Sequence, residues 1–121
     1  MAAKALVLQK YQLDMELVVE MLKATGFIAH GARDAKEAIK MTKNERYDLI
    51  IMDAEPLGME GIELAKLIRD ESSYKNVALI VLTANATRRE KEKFITAGFD
   101  AYMTTPVSVS EFMKTIEKYN K

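Results

Sequence analysis

Short apolar runs and longer amphipathic segments alternate five times along this chain of 121 residues. The runs predict strands at Lys4–Leu8, Phe27–Ala29, Asp48–Met52, Val77–Leu82 and Ala101–Met103. The third and fourth runs are almost continuously apolar, as expected for parallel strands that helices cover on both faces. Because crossovers between parallel strands are right-handed, the order predicts an α/β fold, a doubly wound, open, five-stranded parallel (βα)₅ sheet with helices on both faces.

The segments between the strands carry apolar residues at helical spacing, which predicts the buried faces of helices. These residues are Leu13, Leu17 and Met21 in the first helix; Ala35, Ala38, Ile39 and Thr42 in the second; Gly61, Leu64, Ala65 and Ile68 in the third; and Val109, Phe112, Met113 and Ile116 in the last. Three helix starts pair a capping residue with a carboxylate one turn on: Asp34 with Glu37, Thr87 with Glu90, and Ser108 with Glu111.

Length and charge limit the classes of function. The chain has the size of one domain, so we expect a single domain over residues 1–121. Eighteen basic residues balance eighteen acidic ones, which predicts neither a nucleic-acid partner nor a membrane surface. Cysteine is absent, which excludes disulfides and thiolate chemistry. No apolar run is long enough for a signal sequence or a membrane span, so we expect a cytoplasmic protein.

Polar residues follow several of the predicted strands, where ligand chemistry is expected in open parallel sheets. The residues at these places are Gln9 and Lys10 after the first strand, Asp53 after the third, Thr83 with the apolar Ala84 after the fourth, and Thr105 with Pro106 after the fifth. Asp53 is the carboxylate directly at a strand end. It either takes part in chemistry or caps the loop that follows, and its position alone gives the two interpretations equal weight.

Three sequence segments resemble motifs of the receiver domains of two-component response regulators. They are Tyr47–Asp53 with Gly58–Gly61, then Val81–Ala86, then Ala97–Tyr102. The resemblance runs over essentially the whole chain, in order and with matching spacing. It implies a flavodoxin-like fold, Asp53 as the phosphorylated aspartate, Thr83 as the hydroxyl that bonds the phosphoryl group, and Tyr102 as an aromatic switch.

The sequence departs from the receiver pattern at the metal site. The family has two acidic residues after the first strand that bind Mg²⁺ with the phosphoacceptor, whereas this chain has Gln9 and Lys10. The family lysine before the late proline is replaced by Thr105. The loop after Asp53 reads Pro56-Leu57 where the family commonly has Met-Pro, which puts in doubt the Glu55 carbonyl that matches a metal ligand.

Charge counting gives these departures a physical consequence. A pocket of three carboxylates and one lysine attracts a hard dication, which screens a carboxylate nucleophile from an incoming phosphoryl donor. Here the charges of Asp53 and Lys10 sum to zero. We therefore expect the Lys10 ammonium to pair with Asp53 and to replace both the metal and the missing lysine.

The favoured hypothesis is a degenerate receiver, not an enzyme and without a cofactor. It would bind a histidine kinase or another signalling protein through its fourth helix, fifth strand and fifth helix. The alternative is a true phosphoacceptor, modified on Asp53 with altered Mg²⁺ dependence. A flavodoxin-like nucleotide or flavin enzyme ranks last, because no glycine-rich loop follows the first strand.

Each candidate residue also has a purely structural interpretation. Thr83 can cap the next helix, and Tyr102 can serve equally as a switch or as a packing residue of the last strand. The Glu55 side chain is expected to be a solvated loop residue. His30, the single histidine, has no spaced metal-ligand partners and is expected to be an ordinary residue at a strand end.

Overall fold

A parallel sheet of five strands forms the centre of the protein. The computed structural model describes residues 3–56, 58–84 and 87–119. The strands are β1 (Lys4–Leu8), β2 (Ile28–Ala32), β3 (Leu49–Asp53), β4 (Ala78–Thr83) and β5 (Ala101–Thr104). They pair in the order β2-β1-β3-β4-β5, all parallel. The predicted doubly wound α/β sheet is confirmed.

Helices cover both faces of this sheet. They are α1 (Gln12–Ala24), α2 (Ala35–Asn44), α3 (Gly61–Asp70), α4 (Arg88–Thr96) and α5 (Val109–Glu117), with a 3₁₀ turn at Ser72–Tyr74. Successive strand residues point to opposite faces. Ile50 and Met52 pack with α2, α3 and α4, whereas Leu49 and Ile51 pack with α1 and α5. The apolar residues of the strands thus supply two cores, one on each face of the sheet.

The buried face of α1 differs from the sequence prediction. Leu13 and Leu17 are 79% and 57% exposed, and of the three predicted residues only Met21 is buried. The buried residues are Met15, Val18, Met21 and Leu22. Residues two apart on a helix point in nearly opposite directions, so choosing the leucines instead of Met15 selects the wrong face. Val109, the first residue of α5, is also exposed rather than buried.

All three predicted helix caps are present. The Asp34 carboxylate accepts the backbone N–H of Glu37 at 2.8 Å. The hydroxyls of Thr87 and Ser108 accept the N–H groups of the residues three positions on, at 3.3 and 3.4 Å. Each side chain therefore satisfies a backbone donor that the first turn of its helix leaves without an intrahelical acceptor.

β2 is longer than predicted and contains the single histidine. The strand runs three residues past the predicted end at Ala29, because Leu6–Leu8 of β1 pair with its second half despite the polar His30 and the glycine after it. His30 lies mid-strand, and its Nδ1 is 2.8 Å from the Tyr47 hydroxyl. It is therefore a hydrogen-bonded sheet residue and not a strand-end residue. In the described parts of the chain, no helix combines the length and apolar character needed to cross a membrane.

Candidate receiver cleft

One cleft lies outside the carboxyl ends of β1, β3 and β4. Its volume is about 730 Å³. The residues predicted for the site that line it are Gln9, Lys10, Asp53, Glu55, Thr83 and Thr105. The parallel register brings these residues together, because the ends of neighbouring parallel strands meet at one edge of a sheet. Tyr102 is not among the residues that line the cleft.

Asp53 is the last residue of β3 and is half-buried. Its Oδ2 accepts a hydrogen bond from the backbone N–H of Lys10 at 3.1 Å. Burial raises the pKa of Asp53 above its ordinary 3.8. The Lys10 amide, the Gln9 side chain and the Lys10 positive charge lower the pKa, and the negative charge of Asp14 raises it. Desolvation is the largest effect, so the folded protein stabilises the ionised carboxylate incompletely.

The Lys10 side chain does not make the predicted contact. Its ammonium lies over the Tyr11 ring, 5.6 Å from the ring centroid. Four ion pairs within 4 Å join described residues, and none of them links Lys10 to Asp53. The expectation of a direct Lys10–Asp53 ion pair is therefore wrong. Lys10 reaches Asp53 through its backbone amide and acts on the carboxylate only at a distance through its charge.

Gln9 and Asp53, whose side chains interact, form the floor of the cleft. Gln9 is 3% exposed, although it follows β1 and carries a polar side chain. Its amide oxygen, Oε1, has no hydrogen-bond donor among the described residues. A buried acceptor without a donor is destabilising, and such groups are uncommon in folded proteins. The position that carries an acidic residue in the family pattern therefore holds a buried neutral amide here.

The hydroxyl side chains sit at the ends of β4 and β5. Thr83, the last residue of β4, is buried, and its carbonyl accepts the backbone N–H of Thr105 at 2.9 Å. Thr105 follows β5 with an exposed side chain, and its peptide bond to Pro106 is cis. Both threonines thus line the same cleft as Asp53.

The loop after Asp53 is held close to the start of α3. The Glu55 side chain is exposed, whereas Pro56 is buried, and Leu57 lies outside the described residues. The Gly61 N–H donates to the Ala54 carbonyl at 3.2 Å. A Cβ on Gly61 would lie 2.7 Å from that carbonyl oxygen, so this close approach requires glycine.

The donor set does not fit Mg²⁺. This ion demands near-octahedral oxygen ligands and gives up its water reluctantly. Within residues 3–56, 58–84 and 87–119, no three His, Cys, Asp or Glu side chains are arranged to hold a metal ion. One Asp53 oxygen is already engaged by the Lys10 amide, and the two residues after β1 provide an amide and an ammonium.

Sequence reasoning did not assign to the cleft four charged residues that line it, namely Asp14, Glu60, Glu90 and Lys93. Asp14 lies in the first turn of α1, and Lys93 lies in α4. The position of Asp14 in the first turn of the helix that follows Gln9 and Lys10 is a signal that could have identified it. The sequence contains no signal that would have identified Lys93, because the mixed charges of α4 indicate only a solvent-exposed helix face.

Tyr102 lies in β5, half-buried, away from the cleft lining. It packs against the core that α2, α3 and α4 cover. The Lys91 ammonium of α4 lies 5.2 Å from the centroid of its ring. The ring therefore joins β5 to α4, a placement compatible with both the switch and the packing interpretation.

The parallel sheet and the aspartate at the end of its central strand have the arrangement that the receiver resemblance implies. A family model described as the response regulator receiver domain matches residues 6–117. The chain therefore belongs to the receiver family of two-component signalling, as the sequence predicted.

Individual relatives agree with this assignment. The chain is 29% identical over 119 residues to the polar-differentiation response regulator DivK of Brucella anthropi, covering 98% of this chain and 97% of that protein. The chemotaxis response regulator CheY4 of Vibrio cholerae matches with a TM-score of 0.92 and 25% identity, over 98% of this chain and 99% of that one. The receiver domain of the Pseudomonas aeruginosa sensor histidine kinase PA1611, whose structure has a magnesium ion coordinated in the active-site cleft, matches with a TM-score of 0.87, 24% identity and 98% coverage of both chains.

Proposed function

We propose that this chain is a degenerate receiver that signals through protein–protein contacts without Mg²⁺-dependent phosphorylation of Asp53. The observation that carries the proposal is the replacement of the two acidic positions after β1 by Gln9 and Lys10. Gln9 is buried and neutral, and Lys10 adds a positive charge to the cleft. A dication therefore meets fewer oxygen ligands and more repulsion than in a pocket of three carboxylates.

Receiver domains as a family interact with histidine kinases or histidine phosphotransfer proteins. For this chain we propose that the partner, a histidine kinase or another signalling protein, contacts the surface formed by α4, β5 and α5. Tyr102 lies in this surface under the Lys91 ammonium. Ile95 and Val109 contribute apolar side chains that are 48% and 56% exposed. Apolar groups beside charged ones are typical of protein-binding surfaces.

A specific observation also favours the alternative function. Asp53 lies at a strand end with Thr83 at the end of the neighbouring strand, and both line the same cleft. This is the pair that the receiver resemblance assigns to phosphoryl binding. Asp53 would then accept a phosphoryl group with altered metal dependence, and Mg²⁺ would be a cofactor.

Mass spectrometry after incubation with acetyl phosphate and Mg²⁺ distinguishes the two functions. We expect the intact wild-type protein to gain no phosphoryl mass. The Asp53→Asn variant, which keeps the side-chain shape but removes the nucleophile, is the negative control. The triple variant Gln9→Asp, Lys10→Asp and Thr105→Lys restores the family's charge pattern and tests whether the assay responds to it.

An adduct on the wild-type protein that Asp53→Asn abolishes would refute the degenerate-receiver proposal and establish the phosphoacceptor. An adduct that persists in Asp53→Asn would mark modification elsewhere and would leave Asp53 unmodified, as proposed. The measurement is repeated with EDTA in place of Mg²⁺, because a metal-independent adduct on Asp53 would also overturn the proposal.

A further inference from the structure

The floor of the cleft holds one buried hydrogen-bond acceptor that lacks a donor among the described residues. This acceptor is Oε1 of Gln9. Beside it, Oδ2 of the Asp53 carboxylate accepts a hydrogen bond from the backbone N–H of Lys10. The side chains of Gln9 and Asp53 interact directly, so these acceptors lie at one place. Asp53 already has hydrogen-bond donors from within the chain, whereas Oε1 of Gln9 has none among the described residues and would be satisfied by a donor from outside the chain.

The charge around this floor is predominantly negative. Asp14, Asp53, Glu55, Glu60 and Glu90 line the cleft, and its cationic residues are Lys10 and Lys93. The four ion pairs between described residues, which lie elsewhere, involve none of these seven residues. No ion pair between described residues neutralises the cleft carboxylates, and their combined field favours a cation.

The geometry of the lining, and not its charge, selects against a metal dication and for a nitrogen cation. Mg²⁺ demands near-octahedral oxygen ligands, and no three His, Cys, Asp or Glu side chains among the described residues are arranged to hold a metal ion. A guanidinium carries a single charge, has five N–H donors and no acceptor, and is weakly hydrated. It forms strong paired hydrogen bonds with a carboxylate. Tyr11, 63% exposed at the cleft, provides an aromatic face that already attracts the Lys10 ammonium.

We propose that the cleft binds an arginine side chain of the partner protein, with the guanidinium donating to Asp53 and Gln9 where the family binds Mg²⁺. This inference rests on the proposed function, because Mg²⁺ and a guanidinium would compete for the same Asp53 carboxylate. The Asp53 cleft then becomes a second contact of the signalling complex, in addition to the α4, β5 and α5 surface.

NMR titration of the full chain with N-acetyl-arginine N-methylamide tests the proposal. The backbone amide signal of Lys10 reports on Asp53, and the side-chain amide of Gln9 reports on the floor. We expect saturable shifts of both signals and none with N-acetyl-citrulline N-methylamide, which has the same shape but no charge. Gln9→Met, which removes the amide, and Asp53→Asn, which removes the charge, should each weaken binding at least about fivefold.

Glu71→Gln is the matched control, because Glu71 is exposed and does not line the cleft. It should bind the arginine probe as the wild type does. Absence of saturable shifts, equal binding of the citrulline probe, or unchanged binding by both Gln9→Met and Asp53→Asn would overturn the guanidinium proposal. Asp53→Asn keeps that test decisive if Gln9→Met does not fold.

A parallel titration with Mg²⁺ separates the two proposals. If Mg²⁺ saturates the wild-type cleft and displaces the arginine probe, the degenerate-receiver proposal fails, and the guanidinium proposal that rests on it fails with it. If neither Mg²⁺ nor the arginine probe binds, only the guanidinium proposal fails. Binding of the arginine probe without Mg²⁺ binding supports both.

Discussion

Restoring the family's charge pattern tests whether charge is what this cleft has lost. The triple variant Gln9→Asp, Lys10→Asp and Thr105→Lys places three carboxylates and one ammonium around the cleft floor. Because Gln9 is 3% exposed, the new carboxylate at that position is buried beside Asp53. Two like charges about 4 Å apart repel with a gross energy of roughly 4 kcal/mol at an effective dielectric constant of about 20.

Without metal, we therefore expect the triple variant to be less stable than the wild type by up to this gross repulsion. Mg²⁺ that binds only the folded variant at about 100 times its Kd should return about 2.7 kcal/mol of unfolding free energy. The unfolding free energy of the wild-type protein should not change measurably with Mg²⁺, because its donor set does not fit the ion. Metal binding should return before phosphorylation does, since phosphoryl transfer also needs in-line access to Asp53.

Urea unfolding followed by circular dichroism, in EDTA and in Mg²⁺, measures both effects in one assay. A triple variant that folds but gains no stability from Mg²⁺ would refute the charge argument. The lost feature would then be the geometry of the loop at Glu55 and Pro56, where the proline lies one residue earlier than the family commonly has it. Stabilisation of the wild type by Mg²⁺ would refute the claim that its donor set does not fit the ion.

Three further substitutions test the contacts that shape the site and the core. Burial raises the pKa of Asp53 above 3.8, so the folded state loses free energy relative to the unfolded state as pH rises and the carboxyl ionises. Asp53→Asn should therefore stabilise the fold at pH 7, and this gain should disappear as pH falls below 3.8. Urea unfolding at several pH values measures the gain. Gly61→Ala should destabilise the fold by about 1–3 kcal/mol, because its Cβ would lie 2.7 Å from the Ala54 carbonyl oxygen, and NMR shifts should locate the change in this loop. Tyr74→Phe should cost about 1–3 kcal/mol in the same unfolding assay, since the buried hydroxyl donates to the Glu45 carbonyl at 2.6 Å.

Each of these predictions has an outcome that contradicts it. A stability gain from Asp53→Asn that is independent of pH would show that ionisation of the carboxylate is not the cause. A Gly61→Ala protein with wild-type stability and loop shifts would show that the Ala54 carbonyl moves away at no cost. Wild-type stability of the Tyr74→Phe variant would show that water or another donor replaces the tyrosine hydroxyl.

The fold was predictable because its signals are local and repeated. The β1 bounds match the prediction, and the other strands were located to within a few residues. The capping pairs at Asp34, Thr87 and Ser108 fixed three helix starts, since both partners lie within one turn of chain. The end of β2 was missed because pairing with β1, and not the sequence of β2 itself, holds its second half in the sheet.

The phase of α1 was not decided by its sequence. Apolar side chains occur on both sides of this helix, and packing against the sheet buries Met15 and Val18 while Leu13 and Leu17 face solvent. A sequence with two apolar stripes allows two orientations of a helix. The shape of the neighbouring core selects between them.

The sequence by itself determined the five-stranded parallel sheet, the position of Asp53 at a strand end and the presence of Gln9 and Lys10 after the first strand. These follow from the order of residues along the chain, whereas the comparison of Gln9 and Lys10 with acidic residues comes from the receiver resemblance. Only the tertiary structure decided that the Lys10 amide, and not its ammonium, contacts Asp53, and that Asp14 and Lys93 enter the cleft. Side-chain direction depends on rotamers and on helix packing, because residues distant in sequence set the space into which each side chain points.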